Sequence, residues 1–327
     1  MRGSARGHDL PRSGRERAVT GVAILCSGQG AQAVGMFDLV GEAPEAAPVF
    51  AAARRVLDGR DPRDLVHQAS EGELHANRVA QILCCTQALA YWAVLGPTSP
   101  RPVTAAGYSA GELAAWGIAG VIDTETVLDL TARRAGLMDE ASRTASGLGA
   151  VLGLPRAEIE AICRAHDLHI AIVNGPLHVL LGGAVADLQP ALAQAEQRGA
   201  SRTVMLPVSV ASHTPFLREA SERFGELLRQ RVAGTRPPTG VRLISGVDGA
   251  PVLRLQEGLQ KLALQIRQTV DWAACMDACR AARPQRVLEL GPGDALARMA
   301  GDAMPGIAVR SVTAFRSLDG IRRWLDA

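Results

Sequence analysis

The pentapeptide Gly107-Tyr108-Ser109-Ala110-Gly111 carries the clearest chemistry in the chain. The pattern G-x-S-x-G places a serine on a sharp turn between a strand and a helix, where its hydroxyl is pushed into the open. The apolar run from Val103 to Ala106 precedes the turn and the helical spacing of GELAAW follows it, so the required context is present. A helix N-terminus favours developing negative charge, and the backbone N–H of Ala110 is free to donate to an oxyanion. A serine hydroxyl is a poor nucleophile without a base, whose help is worth roughly 10²- to 10⁴-fold in rate. Seven histidines are available: His8, His67, His75, His166, His169, His178 and His213. His8 lies in a basic N-terminal stretch, and His67 and His75 have polar, charged neighbours. His166, His169 and His178 fit the surface and edges of a middle segment. His213, in Ser212-His213-Thr214-Pro215, follows the strand-like TVMLPVSV where the chain leaves that segment, which makes it the candidate base. The bland alternatives are a turn serine between glycines and a structural histidine.

The elements that must hold these residues can be read from periodicity. Val22 to Cys26 is a short apolar run closed by Gly28 and Gly30, Val103 to Ala106 leads into the serine turn, and Arg286 to Leu290 is stopped by Gly291-Pro292-Gly293. Each reads as a buried strand, and long helical segments such as 78–95 and 124–141 lie between them. Strands separated by helices predict an α/β fold with a parallel sheet covered on both faces. Residues 148–207 read instead as strand, helix (156–166), strand (170–173), strand (179–182), helix (185–198) and strand (202–206). That order is the split βαβ pattern of a ferredoxin-like α+β unit, here an insertion because sheet-type segments flank it on both sides. The expected organisation is a disordered basic tail at 1–18, a main domain at 19–146 and 209–327, and an inserted subdomain at 147–208. Arg236-Pro237-Pro238 reads as a surface turn.

Composition removes several function classes. Of 327 residues, 47% are hydrophobic and 21% charged, a globular balance, and no apolar run reads as the roughly 20 residues a membrane-spanning helix needs. A net charge of +2 with 3% aromatics offers little to nucleic acid. The first eighteen residues lack the apolar region of a secretory signal, and Asp9 and Glu16 weigh against a transit peptide. The six cysteines include adjacent Cys84 and Cys85, and Cys275 with Cys279, but form no CxxC and no metal-binding spacing, which points to reduced thiols in the cytoplasm. Lys261 is the only lysine and follows no glycine-rich loop, so a P-loop is excluded.

Five separated segments, taken in order, resemble the malonyl-CoA:acyl carrier protein transacylases from about Val22 onward. They are Gly28-Gln29-Gly30-Ala31-Gln32, Gly107 to Glu112, Arg134 with Met138 in RAGLM, Ser212-His213, and Glu289-Leu290-Gly291-Pro292-Gly293. The resemblance implies a hydrolase-like α/β parallel-sheet domain with an inserted ferredoxin-like subdomain. It implies Ser109 as the acyl-bearing nucleophile, His213 as general base then acid, and Gln29 with the Ala110 N–H as the oxyanion hole. It also implies that Arg134 holds the malonyl carboxylate. Spacing alone does not choose between Arg133 and Arg134; the family pattern chooses Arg134. In that family a main-chain carbonyl orients the histidine, and the segment matched to it here is Val270-Asp271-Trp272, with Asp271 where relatives usually have glutamine. Asn174, in VNGP, resembles an asparagine that lines the family's site; otherwise it is a turn residue.

Transacylases of fatty-acid synthesis usually have histidine before the serine, where this chain has Tyr108. With CSGQGAQ, QILCCTQALAYW, GYSAGELAAW and VASHTP, this makes the chain look most like the epsilon (transacylase) subunit of malonate decarboxylase. The expected donor is malonyl-CoA, with no bound cofactor or metal. The expected partner is an acyl carrier protein with a phosphoribosyl-dephospho-CoA or phosphopantetheine arm, alongside other decarboxylase subunits. Three rivals are weaker. A plain hydrolase would place its histidine near the C-terminus, and none follows His213. Gly28 to Ala33 fits a loose dinucleotide pattern, but Glu42 and Glu45 lie in no strand. A non-catalytic carrier-docking subunit would have no need to keep Gln29, Ser109, Arg134 and His213 together.

Overall fold

The structure, a computed structural model, describes residues 21–96, 102–234 and 240–327. The expected tail at 1–18 and the turn at Arg236-Pro237-Pro238 lie outside the described residues. Ten strands run in chain order: β1 (Val22–Cys26), β2 (Val103–Gly107), β3 (Ser146–Leu152), β4 (His169–Gly175), β5 (His178–Ala184), β6 (Arg202–Met205), β7 (Val241–Ile244), β8 (Val270–Asp271), β9 (Arg286–Glu289) and β10 (Ala308–Ser311). They form two five-stranded sheets.

The first sheet has the order β10-β9-β1-β2-β7 and every neighbour is parallel. VAILC, the apolar run of β1, is its central strand and is buried throughout, as a strand covered on both faces requires. Successive residues face opposite layers: Ile24 belongs to the same core as Leu113, Leu83 and Phe50, while Leu25 belongs to a second core with Trp272, Met276 and residues of the second sheet. Register pairs Cys26 with Gly107 and Leu25 with Glu289. The carboxyl ends of β1, β2 and β9 therefore finish side by side, and the loops that leave them carry Gln29, Ser109 and Pro292. Ligands of open α/β sheets bind beyond these strand ends.

The second sheet has the order β6-β3-β5-β4-β8. Its first four strands are mutually antiparallel and joined by helices Arg156–Ala165 and Val185–Gln197, which gives the βαββαβ order read from sequence. The fifth, β8, comes from the main unit and pairs in parallel with β4 through Ile172 and Val270. Its apolar residues Leu148, Ala150, Ile172 and Leu180 share one core with Leu25, Ala106 and Trp272, so the two sheets face each other across continuous packing.

Two expectations change, and three short strands are new. The run TVMLPVSV keeps strand geometry only to Met205, because Pro207 has no N–H to continue the ladder; Leu206 N–H still reaches the Leu148 carbonyl at 2.9 Å. β7, β8 and β10 are too short for their periodicity to show. The helix Asn77–Leu95 is long and apolar enough to cross a membrane by composition, contrary to the sequence reading. It is instead a core helix, most of it buried, and packs against the helices Gly111–Ile118 and Thr124–Ala141. All six cysteines are buried and free of disulfides.

Candidate active site

Ser109 lies two residues beyond the end of β2 and has φ +54°, a left-handed conformation that costs a non-glycine residue about 1–3 kcal/mol. Its glycine neighbours make the turn possible. A Cβ on Gly107 would lie 2.2 Å from Glu112 N, and one on Gly111 would lie 2.2 Å from the Cys26 carbonyl. The helix Gly111–Ile118 thus begins against the ends of β1 and β2, and any larger side chain would force it away.

His213 is the base that sequence selected. Its Nε2 lies 2.8 Å from Ser109 Oγ, and its backbone also has a left-handed φ, +65°. Its Nδ1 donates to the Gln265 carbonyl at 2.5 Å, which leaves Nε2 as the acceptor for the serine proton. Burial first and the nearby Arg134 charge second push the imidazole down to about 3, so it is neutral at ordinary pH. The orienting carbonyl is therefore that of Gln265 and not of Asp271. Asp271 caps the helix Trp272–Ala281, accepting from Ala274 N–H at 2.9 Å, while its own N–H goes to the Gly246 carbonyl. Gln265 suits the task because it sits at the C-cap of the helix Leu255–Leu264, where a carbonyl has no partner within the helix.

Of the two expected oxyanion donors, Gln29 lines the cleft beside Ser109, while Ala110 is buried at the start of the following helix. The N–H groups of Gln29 and Ala110 donate to no acceptor among the described residues. Gly28 brings their loops together: a Cβ there would meet the Tyr108 carbonyl at 2.8 Å and Ser109 Cβ at 3.5 Å. Behind this loop, Ser27 Oγ donates to Glu289 Oε1 at 2.6 Å, and Glu289 also accepts from Ala297 N–H at 2.8 Å. Burial raises the Glu289 carboxyl to about 7.

The neighbouring arginines separate cleanly. Arg133 is exposed and pairs with Asp129 one turn away, a contact worth about 0.3–0.5 kcal/mol. Arg134 is 1% exposed and donates from Nη1 to Gln81 Oε1 at 2.6 Å and from Nη2 to Gln265 Oε1 at 3.0 Å. No carboxylate pairs with it directly among the described residues. Burial lowers it to about 10, and it remains charged.

The cleft is closed on the far side by the second sheet, through Leu148, Ile172, Leu180, Asn174 and His178, and holds about 290 Å³. Asn174 Nδ2 lies 3.2 Å from His178 Nε2, and the Asn174 side chain is within hydrogen-bonding reach of the buried Tyr108 hydroxyl. His178 thus borders the cleft, where sequence had placed it on the subdomain surface. The Tyr108 ring stands edge-on to Trp272 at 5.2 Å, and burial pushes its hydroxyl up.

A serine on a strand-to-helix turn, a neutral histidine on its hydroxyl and two free N–H donors form a constellation for acyl transfer. Residues 24–300 match the family described as the acyl transferase domain. The chain belongs to this family. This acyltransferase is 31% identical over 305 residues to the malonyl CoA-acyl carrier protein transacylase of Mycobacterium tuberculosis, covering 91% of this chain and 98% of that one. It is 29% identical to the protein of the same name from Haemophilus influenzae, over 91% of this chain and 97% of the relative. Among solved structures it resembles the acyl-carrier-protein S-malonyltransferase of Burkholderia pseudomallei, with a TM-score of 0.84, 27% identity and coverage of 92% and 99%. A malonyl-transacylase solved in complex with a type II polyketide acyl carrier protein superposes with a TM-score of 0.83 at 26% identity, over 92% of this chain and 98% of that one.

Gln265, Gln81, Glu112 and Glu289 went unrecognised as site residues in the sequence. Gln81 interrupts the apolar helix Asn77–Leu95, and Gln265 falls between Leu262 and Ile266 on a buried face, so a polar residue at an apolar position was the available signal.

Proposed function

We propose that this acyltransferase moves a malonyl group from malonyl-CoA to the pantetheine thiol of an acyl carrier protein through a malonyl ester on Ser109. The observation that carries the reading is Arg134: a buried guanidinium, held only by two amide oxygens, next to the serine–histidine pair. Glu112 acts on this charge only at a distance, and burial raises its own carboxyl to about 7, so a carboxylate on the incoming acyl group supplies a direct partner.

In the first half-reaction Ser109 Oγ attacks the thioester carbonyl as His213 Nε2 takes its proton. The oxyanion so formed accepts from the N–H groups of Gln29 and Ala110. Collapse breaks the C–S bond, and the departing thiolate takes the proton from His213. In the second half-reaction the carrier thiol gives its proton to His213 and attacks the ester, and Ser109 regains its hydrogen as it leaves. One cleft serves both long thiol arms in turn, so the kinetics are ping-pong. Nothing in these steps requires a bound cofactor. The six reduced thiols fit action in the cytoplasm.

The carrier of fatty-acid or polyketide synthesis is favoured, because the relatives that span the whole chain are named for transfer to acyl carrier protein. The narrower reading, the transacylase of malonate decarboxylase, rests on Tyr108, whose ring lies against Trp272 beside the nucleophile. The deciding experiment offers the malonyl-enzyme two carriers, one with a phosphopantetheine arm and one with a phosphoribosyl-dephospho-CoA arm. Faster transfer to the first is expected; transfer to the second alone would establish the decarboxylase role.

A further inference from the structure

The side chain of Gln265 links Arg134 to Glu112 and to the Ser109 carbonyl. The residue is fully buried. Its Oε1 faces Arg134 Nη2 at 3.0 Å, and since a guanidinium can only donate, the amide orientation follows. Its Nε2 then donates to Glu112 Oε2 at 2.6 Å and to the Ser109 carbonyl at 3.1 Å. Glu112 is pinned in turn by Gly246 N–H at 3.2 Å. The Ser109 carbonyl shares a peptide plane with the Ala110 N–H, and in a trans peptide the two point in opposite directions. That oxygen also accepts from Glu112 N–H at 3.0 Å, so the Gln265 amide adds a second hold on the peptide that carries the candidate oxyanion donor. The backbone of the same residue, through its carbonyl, orients His213.

We propose that the Gln265 side chain is a positioning residue that ties recognition of the acyl carboxylate at Arg134 to the geometry of the oxyanion donor, so that preference for a dicarboxylic acyl group is expressed in the acylation rate as well as in binding. A carboxylate that engages Arg134 fixes the guanidinium, and through the Nη2–Oε1 contact it fixes the amide whose Nε2 holds Ser109 O and Glu112. An acyl group without a carboxylate leaves Arg134, and with it that amide, less firmly held. The Arg134 charge also depresses His213, so neutralising it on binding strengthens the base at the same moment.

This rests on malonyl transfer being the reaction, and the test separates the two. Single-turnover acylation at saturating malonyl-CoA and at saturating acetyl-CoA gives a maximum rate and a half-saturation concentration for each donor. The native protein is expected to favour malonyl in the maximum rate by about 10-fold or more. In Gln265→Met, which keeps the backbone carbonyl for His213, that rate preference should shrink to within about threefold while the difference in half-saturation persists. In Gln265→Glu an internal carboxylate occupies Arg134, and the malonyl rate should fall towards the acetyl rate. A malonyl rate preference unchanged in either folded variant would overturn the proposal. Absence of a malonyl adduct on the native protein would instead sink malonyl transfer itself.

Discussion

The two walls of the cleft are built from different materials. The wall from the parallel sheet holds Ser109 and His213, the proposed nucleophile and base, with Gln29 and, behind them, a buried polar cluster of Arg134, Gln265, Gln81 and Glu112. The opposite wall, from the second sheet, presents Leu148, Ile172 and Leu180 with only Asn174 and His178 as polar groups. The polar groups are thus concentrated at the strand ends of one sheet, and the other sheet supplies a mostly apolar face. A low-dielectric wall strengthens each charge opposite it, and under the proposed function that strengthens the contact between Arg134 and an acyl carboxylate.

That contrast sets the order of expected effects. His213→Ala removes the base from the chemical wall and should lower the acylation rate by about 10²- to 10⁴-fold with little change in half-saturation, as read by rapid-quench kinetics. Asn174→Ala alters only the opposite wall, and there the half-saturation for the coenzyme A thioester should rise by about 3- to 10-fold with the maximum rate nearly unchanged. A rate loss in Asn174→Ala as deep as that in His213→Ala would erase the distinction between the walls.

The smallest effect concerns pH and stability. The Glu289 carboxyl, raised by burial from 4.5 to about 7, binds its proton more tightly in the folded chain than in the unfolded one. Its contribution is fully present below the unfolded value and is lost as pH rises through about 7. His213, lowered to about 3, acts in the opposite sense, its contribution being lost as pH falls from 6.5. Glu289→Gln should therefore flatten the decline in Tm between about pH 6.5 and pH 8, while His213→Ala should leave that decline in place. An identical decline in Glu289→Gln and the native chain would show that this carboxyl does not titrate in the window.

Much of the chemical wall was legible because its constraints are local. Gly107 and Gly111 are required by contacts of 2.2 Å, and a turn that needs two glycines around a serine writes itself into consecutive positions. β1 and β2 were legible because strands buried on both faces are continuously apolar. The βαββαβ order was legible from alternation alone. What escaped was non-local. The carbonyl that orients His213 belongs to Gln265, 52 positions away, and any residue has a carbonyl, so no side chain marks the site. Matching Asp271 to that role followed from family spacing, whereas its carboxylate serves as a helix cap. Arg133 and Arg134 differ only in the helix face they occupy, and nothing short of packing separates them.

The most direct measurement is the intact mass of the protein after mixing with malonyl-CoA or acetyl-CoA and quenching in acid, with Ser109→Ala and Arg134→Met alongside. A malonyl adduct is expected on the native chain and not on Ser109→Ala. Arg134→Met should lose malonyl labelling by about 10- to 100-fold while keeping acetyl labelling, the scale of a charge-assisted bidentate contact. No adduct on the native chain, with no coenzyme A released, would contradict the account and leave a carrier-docking protein that keeps the site without its activity.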